Sequence, residues 1–472
     1  MDIEICDVFE TRRGKKCLNI ENYKFREFRT LKSGDKNFRC TNKNCSVSAV
    51  VRLVNESYKI LKITNTHTHD EYDDRTIHRE VVRSNLKRRA EEDLHIKPNK
   101  LIRRELKNNE KSEHLQYSDM KLIRRSMYEK RKKSFPNIPR SLEDAKKQLV
   151  DDQHNITYKG NKFCFVSDDE NIFIFTCKQN LELLQSAEHV FGDGTFSFAP
   201  KYFVQLYTIH VFTNNFYVPV AFCFLSNKHT DTYISMWKTL QNICIQITGN
   251  IINLSNFHVD FEKSAHNAVL QIFPKCKIMC CNFHLGQNWF RHIQQHKLLS
   301  SEYLNNDSEV GKWMKCFFGL SYLPPDEVSD GFCDLMSIAP STTSNISIFS
   351  DYILENYITS DSNFPPTLWA CEPTNNPKTT NGAESYHKQY NSQFYTAHPH
   401  IHQVIDVIIG IQSDTDLKIN SINNKIMNFK RKETINKEIQ LENIWNEYKN
   451  NIINRLTYMK KIGLKCHHSK LV

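Results

Sequence analysis

Three acidic residues stand in settings that a plain folded core would not choose. Asp193 lies in Phe-Gly-Asp-Gly-Thr-Phe (191–196), Asp260 in His-Val-Asp-Phe-Glu-Lys (258–263), and Glu384 in Thr-Asn-Gly-Ala-Glu-Ser-Tyr-His (380–387). The first two end or interrupt strongly apolar, strand-like runs, and the third sits in a helical stretch with Asn381 and His387 close by. Carboxylates brought together in this way suit a pair of hard divalent cations, Mg²⁺ or Mn²⁺. Such ions take oxygen ligands and leave positions open for phosphate and water. The chemistry implied is phosphodiester cleavage on nucleic acid, with no covalent enzyme intermediate. Two other acids compete for the third place. Glu262 is expected to face away or open a helix, and Glu372 lies in a Pro/Asn-rich loop, so Glu384 is preferred.

A second constellation is Cys40, Cys45, His67 and His69, spaced C-x4-C-x21-H-x-H. Two thiolates and two imidazoles suit tetrahedral Zn²⁺. The surrounding stretch is too small to hold a core unaided, so metal binding would supply much of its folding free energy. The plainer reading is two core cysteines beside an exposed His-Thr-His-Asp turn. Cys281 and His284 form a C-x2-H pair that lacks two further protein ligands, with Cys276 and Cys280 only loosely completing it. A hydrogen-bonding role at a strand–helix junction is expected there. Cys466, His467 and His468 are read as a tail rather than a site.

The chain has 472 residues, 39% of them apolar and 25% charged, which describes an ordinary globular protein of more than one domain. Its longest apolar stretch, 218–225, is far too short to cross a bilayer, and the acidic N-terminus has no signal-peptide pattern. Most of the 15 cysteines are isolated in apolar runs (Cys164, Cys177, Cys223, Cys244 and Cys316), where they act as small buried hydrophobes. The net charge of +10 is concentrated: residues 81–140 carry 18 Lys/Arg against 8 Asp/Glu, a surplus equal to that of the whole chain. That is the footprint of a polyanion partner. The cations expected on DNA are Lys87, Arg88, Arg89, Arg103, Arg104, Arg124, Arg125, Lys130, Arg131, Lys132 and Lys133. The run 130–133 also serves as a candidate nuclear localisation signal, so a nuclear location is expected.

The elements that must position these residues follow from periodicity. Residues 14–69 alternate apolar and polar over 23–28, 38–40, 48–53 and 58–63, with turns at 34–35 and 55–56. Residues 70–150 are polar, basic and helical, broken by Pro136 and Pro139, with a new helix capped by Ser141. From about 160 the chain turns to aromatic and β-branched strands. A short strand and a helix over 181–187 precede strands over 189–198, 203–212 and 217–226, whose short breaks fit antiparallel hairpins. A helix follows with Tyr233, Met236, Trp237, Leu240, Cys244 and Ile247 on one face. Then come a strand ending at Asp260, a helix, a strand over 277–281 and a helix from His284. This βββ-α-β-α-β-α order is that of a ribonuclease H-like α/β fold. It puts the first and fourth strands side by side, making Asp193 and Asp260 neighbours. The organisation read is 10–70 zinc finger, 71–160 basic helical region, 161–410 catalytic core with a mostly helical insertion at about 300–375, and 411–472 helical tail.

The N-terminal stretch resembles the FLYWCH-type zinc finger, through Gly14-Lys-Lys16, Tyr23, Phe38-Arg-Cys40, Cys45 and the closing His67-x-His69; Phe38 stands where that family usually has Trp. Residues 170–410 closely resemble the MULE family of Mutator-like transposases. The matching residues are Asp193 to Phe196, Ala199-Pro200, 205–209, Pro219, Asn227-Lys228, Asp260 to Lys263, Cys281-x2-His284, Trp369, and Thr380-Asn381 with Glu384. The resemblance implies a DDE triad at Asp193, Asp260 and Glu384 with Mg²⁺ or Mn²⁺. It also implies cut-and-paste movement of double-stranded DNA bounded by terminal inverted repeats. A homodimer or higher oligomer is expected, because synapsis brings two ends together. The alternative from another class is a domesticated transcription regulator that keeps only DNA binding; a ribonuclease or repair nuclease fits less well.

Overall fold

A computed structural model describes residues 7–11, 14–54, 57–92, 96–108, 115–340, 344–373 and 381–467. The turn expected at 55–56, Thr380 and His468 lie outside the described residues. The chain divides into two compact units, Met1–Ile138 with Gln393–Tyr395, and Pro139–Ser392 with Thr396–Val472.

In the first unit, strands β1 (Asp7–Glu10), β2 (Lys16–Ile20), β3 (Tyr23–Thr30), β4 (Lys36–Cys40), β5 (Ser48–Val54) and β6 (Ser57–Thr64) form an antiparallel meander in which each strand pairs with the next. Leu18, Ile20, Phe25, Phe38, Ala49 and Val51 point into its core. Glu21 and Asn22, both at positive φ (48° and 58°), make the two-residue turn between β2 and β3. Strand β2 does not show the alternation that reveals the others. Cys17, Leu18, Asn19 and Ile20 are all buried, because a helix covers the second face of the sheet: Phe9 and Cys17 pack with Ile77 and Val81 of α1 (Asp74–Glu92). A strand covered on both sides loses its period-2 signal. Helices α2 (Pro98–Asn108) and α3 (Tyr117–Lys133) close on α1 around Val82, Leu86, Leu101, Ile102, Ile123 and Met127. The zinc-finger stretch and the basic helices therefore fall in one compact unit.

The second unit begins with α4 (Leu142–Asp152), whose N-cap Ser141 accepts a hydrogen bond from the Asp144 amide at 3.1 Å, as expected. A small hairpin of β7 (Thr157–Tyr158) and β8 (Asn161–Lys162) follows, then β9 (Cys164–Val166), β10 (Phe173–Phe175) and α5 (Lys178–Gln185). Next are β11 (His189–Thr195), β12 (Gln205–Thr213), β13 (Phe216–Leu225), α6 (Thr230–Thr248), β14 (Asn256–Val259), α7 (Lys263–Ile272), β15 (Lys277–Cys280) and α8 (Asn282–Gln295). They build a mixed seven-stranded sheet in the order β15-β14-β11-β12-β13-β10-β9. β11, β12 and β13 are antiparallel, and β11, β14 and β15 run parallel. Tyr233, Met236, Trp237, Leu240 and Cys244 of α6 are buried as read; Ile247 is only partly so.

The C-terminal part is helical: α9 (Lys297–Leu304), α10 (Glu309–Phe317), α11 (Val328–Ser337), α12 (Ser344–Ile353), α13 (Asn381–Asn391), α14 (Ile401–Asn423), α15 (Lys432–Lys449) and α16 (Arg455–Cys466). The boundary read at 410 falls inside α14. The last helix is not a loose tail either. Tyr458, Met459 and Ile462 are fully buried, and a Cβ at Gly463 would lie 2.4 Å from the Lys315 carbonyl oxygen. The Tyr458 hydroxyl donates to the Tyr322 carbonyl at 2.7 Å, and the Arg455 guanidinium to Asp334 at 2.7 Å. Residues 455–466 thus form part of the core that covers the helices at 309–337. No helix among the described residues is long and apolar enough to cross a membrane.

Candidate functional site

The pairing of β11 with β14 sets Phe191 opposite His258. Two residues further on, Asp193 stands within β11 and Asp260 just past the end of β14. The glycines flanking Asp193 are dictated by its neighbours. A Cβ at Gly192 would lie 2.2 Å from the Tyr207 hydroxyl and 2.5 Å from the Phe257 ring, and one at Gly194 would lie 2.6 Å from Gln205 Oε1. Larger residues would push the strand off both neighbours, so Gly-Asp-Gly reflects close packing on one face and a polar side chain on the other.

Asp193 Oδ2 accepts from His387 Nδ1 at 2.9 Å, and its Oδ1 from the Gly194 amide at 2.8 Å. Burial pushes the Asp193 carboxyl up. The His387 hydrogen bond, the charges of His387 and His284, and the Gly194 amide outweigh it, so the group is held below its usual range. The other ring nitrogen of His387 meets the Thr208 hydroxyl at 2.9 Å, and that hydroxyl meets His210 Nε2 at 3.0 Å. A buried polar chain thus runs from Asp193 into the sheet.

Asp260 is half-exposed, with its Oδ1 accepting from the Phe261 amide at 2.6 Å. His284 lies between it and the third acid. Its Nδ1 is 3.6 Å from Asp260 Oδ1, and its Nε2 is 3.6 Å from Glu384 Oε1. Burial works against charge on His284, but a hydrogen bond with Cys281 and the charges of Asp260, Cys281 and Glu384 prevail and push its pKa up to about 9. Cys281 follows β15 and is the N-cap residue of α8, one turn before His284. Glu384 reaches the cluster on α13, which packs against β11. A Cβ at Gly382 would lie 2.1 Å from the Tyr217 ring, so the Asn-Gly-Ala-Glu start of this helix needs glycine to lie that close.

His284 thus lies between Asp260 and Glu384, and His387, on the helix that carries Glu384, holds Asp193. Glu262 is occupied elsewhere: it accepts from the Tyr233 hydroxyl at 2.9 Å and from Lys228 Nζ at 3.4 Å. The roles of Thr208 and His210 escaped the sequence reading. Their trace was two polar residues inside an otherwise apolar buried strand, Gln205–Thr213. For His387 the trace was its i,i+3 spacing from Glu384, which puts both on one helix face.

In the first unit, Cys40, Cys45, His67 and His69 place one ligand atom each within 4.8 Å of one another. Cys40 Sγ is 3.2 Å from His69 Nε2, and Cys45 Sγ is 3.4 Å from His67 Nδ1. Ligands held 2.0–2.3 Å from a tetrahedral Zn²⁺ are about 3.3–3.8 Å apart, so the cluster fits that ion. His69 Nδ1 faces the Asp70 carbonyl at 2.7 Å, which leaves Nε2 for metal. Tyr23 stacks on His67 with ring centroids 3.6 Å apart, setting that ring's plane.

The same unit carries a groove of about 320 Å³ lined by Arg83, Lys87, Leu122, Arg125, Ser126, Glu129, Lys130 and Lys133. Burial and the charges of Arg83, Lys130 and Lys133 hold the Lys87 ammonium below its usual range, so an anion there would be favoured. Arg88, Arg103, Arg104, Arg125, Lys132 and Lys133 are exposed, and Arg124 is partly so. Several cations already have acidic neighbours: Arg88 with Glu92 (3.8 Å), Arg89 with Glu105 (2.9 Å), Arg125 with Glu129 (3.0 Å) and Lys130 with Glu91 (2.9 Å). Arg131 is a correction to the expected DNA contacts. Its side chain is buried and donates to the carbonyls of Ala90 (3.0 Å) and Ile96 (2.6 Å). It ties α1 and α3 together, because carbonyls at a helix end need a donor.

Comparison with known families gives two matches. Residues 189–288 match the MULE transposase domain, and residues 8–69 match the FLYWCH zinc finger domain. The first stretch holds Asp193, Asp260, Cys281 and His284, with Glu384 beyond it; the second holds all four Cys/His ligands. A search of curated proteins finds no match.

Proposed function

We propose that this chain is a DNA transposase of the DDE type, which cuts DNA at terminal inverted repeats and joins the ends to a target. The observation that carries the reading is the parallel β11–β14 pair. With Phe191 opposite His258, Asp193 and Asp260 each follow two residues later on adjacent strands, and His284 lies between Asp260 and Glu384. The strand order, an antiparallel trio continued by two parallel strands, supports a ribonuclease H-like core. The MULE match supports transposase-type chemistry.

The donor set fits hard divalent cations: three carboxylates from separate elements, one of them half-exposed. Asp193, Asp260 and Glu384 would hold Mg²⁺ or Mn²⁺, which when bound polarises the phosphate and lowers the pKa of the attacking water or 3′-hydroxyl. The protein's own part is positioning. His387 orients Asp193 and keeps it ionised. His284 spans Asp260 and Glu384 and balances their charge. Gly192 and Gly382 let the strand and the helix approach closely enough to share a site. The finger, with Zn²⁺ on Cys40, Cys45, His67 and His69, and the basic helices would grip the DNA ends through phosphates. Joining two ends calls for at least two copies of the chain.

Cleavage of an end-containing DNA duplex in Mg²⁺ by the wild type and by Asp193→Asn tests the reading. Cleavage that the substitution abolishes is expected. Equal cleavage by both refutes the assigned site. Binding without cleavage by either protein transfers the reading to a domesticated DNA-binding regulator.

A further inference from the structure

Cys281, His284 and Glu384 bring a sulfur, an imidazole nitrogen and a carboxylate oxygen within 4.8 Å of one another. We propose that these three residues form a second zinc site, distinct from the finger, with its fourth position open. Mg²⁺ has no use for a thiolate, whereas sulfur and imidazole together select Zn²⁺ and its borderline-soft relatives. The spacing agrees. His284 Nε2 and Glu384 Oε1 are 3.6 Å apart, within the edge of about 3.3–3.8 Å expected between tetrahedral zinc ligands.

The surroundings are those of a held ligand set. Cys281 is 2% exposed. Its amide donates to the Val259 carbonyl at 3.1 Å, and its own carbonyl accepts from the Leu285 amide at 3.0 Å. The thiol is thereby fixed at the junction of β15 and α8, and His284 follows one turn later. Asp260 Oδ1 stands 3.6 Å behind His284 Nδ1, on the side of the ring away from Nε2, which faces Glu384. Three protein ligands among the described residues make an exchangeable site rather than a closed structural one.

The consequence rests on the function proposed above. Zinc here takes Glu384 as a ligand and engages Asp260 through His284, so it competes with the Mg²⁺-loaded state and acts as a brake on cleavage.

The full chain, stripped and reloaded with Zn²⁺, is assayed for bound metal by elemental mass spectrometry, with Co²⁺ substitution to read the thiolate charge-transfer band. Two zinc ions per chain are expected in the wild type. Cys281→Ser and Glu384→Gln should each retain one, with circular dichroism checking the fold; the partly exposed Glu384 serves if the buried Cys281 does not tolerate change. Cys45→Ser should also retain one, with the Cys281 charge-transfer band intact. A wild-type stoichiometry of one that Cys281→Ser leaves unchanged overturns the proposal, as do two ions retained in both Cys281→Ser and Glu384→Gln. Asp193→Asn separates the two claims, because it should lose cleavage and keep two zinc ions. A wild type that binds two zinc ions, and that does not cleave in Mg²⁺ even after the second zinc is removed, sinks the proposed function and leaves this site standing.

Discussion

The Cys/His cluster of the first unit and the acid/histidine cluster of the second are assembled in opposite ways. The first draws its four ligands from positions 40 to 69 and holds them within 4.8 Å beside a small core that includes Leu18, Phe25, Phe38 and Val51. The second draws its residues from 193 to 387 and sets them on β11, the end of β14, α8 and α13, over a core that embraces most of the unit. A local cluster on a small sheet depends on its metal for stability. A long-range cluster on a large core depends on close packing for its geometry. Metal removal should therefore hurt the first, and added side-chain volume the second.

The largest effect expected is on the finger. Structural zinc in small domains is worth about 10–16 kcal/mol at neutral pH, more than a core of this size supplies. Cys45→Ser, or prolonged chelation, should remove hydrogen-exchange protection from β2 to β5 while leaving β11 to β14 protected. Equal protection of both sheets after metal loss would erase the distinction.

Gly382→Ala probes the other side. The added Cβ would meet the Tyr217 ring at 2.1 Å, and the ring is held against Phe191 and Phe212 with centroids 5.1 and 4.7 Å away. Helix α13 must shift. About 1–3 kcal/mol of stability should be lost, as for overpacking elsewhere, together with the Mg²⁺-dependent cleavage proposed for this site. Full activity in a folded Gly382→Ala protein would show that the position of Glu384 does not matter.

Acid should sharpen the contrast within the second unit. Burial, helped by the charge of His387 and opposed by that of Asp193, lowers the His210 pKa to about 3. An unfolded chain takes up that proton near its ordinary pKa, about 6.5. The unfolded state therefore binds more protons between these values. The contribution of His210 is fully present above about pH 6.5 and is lost as pH falls toward 3, by up to about 1.4 kcal/mol per pH unit. Denaturant melts at pH 4 and 7 should show His210→Gln to have a flatter pH dependence than the wild type.

The smallest effect belongs to an exposed cation, set against a buried one. Lys133→Ala should lower the slope of log affinity for DNA against log salt by about 1 and leave stability unchanged. Arg131→Ala should do the reverse. It leaves the Ala90 and Ile96 carbonyls without this donor and costs about 1–3 kcal/mol, which thermal melts of the two variants would separate.

The sequence by itself determined which residues could carry chemistry and which strands could pair. Cys and His at ligand spacing are legible because the chemistry is written in residue type over a short span. The strands at 189–198, 203–212 and 217–226 were legible because short breaks between apolar runs allow only hairpins. Strand β2 was not, because α1 buries its second face and removes the alternation. Only the tertiary structure decided that Arg131 faces helix carbonyls rather than solvent, and that α16 forms part of the core of helices 120 residues earlier. It also decided that His284 stands between Asp260 and Glu384 and that His387 holds Asp193. The physical reason is common to all of these. Local pattern reports the period of one element, whereas the partner of a buried polar group is set by whichever distant element the fold brings within hydrogen-bond reach.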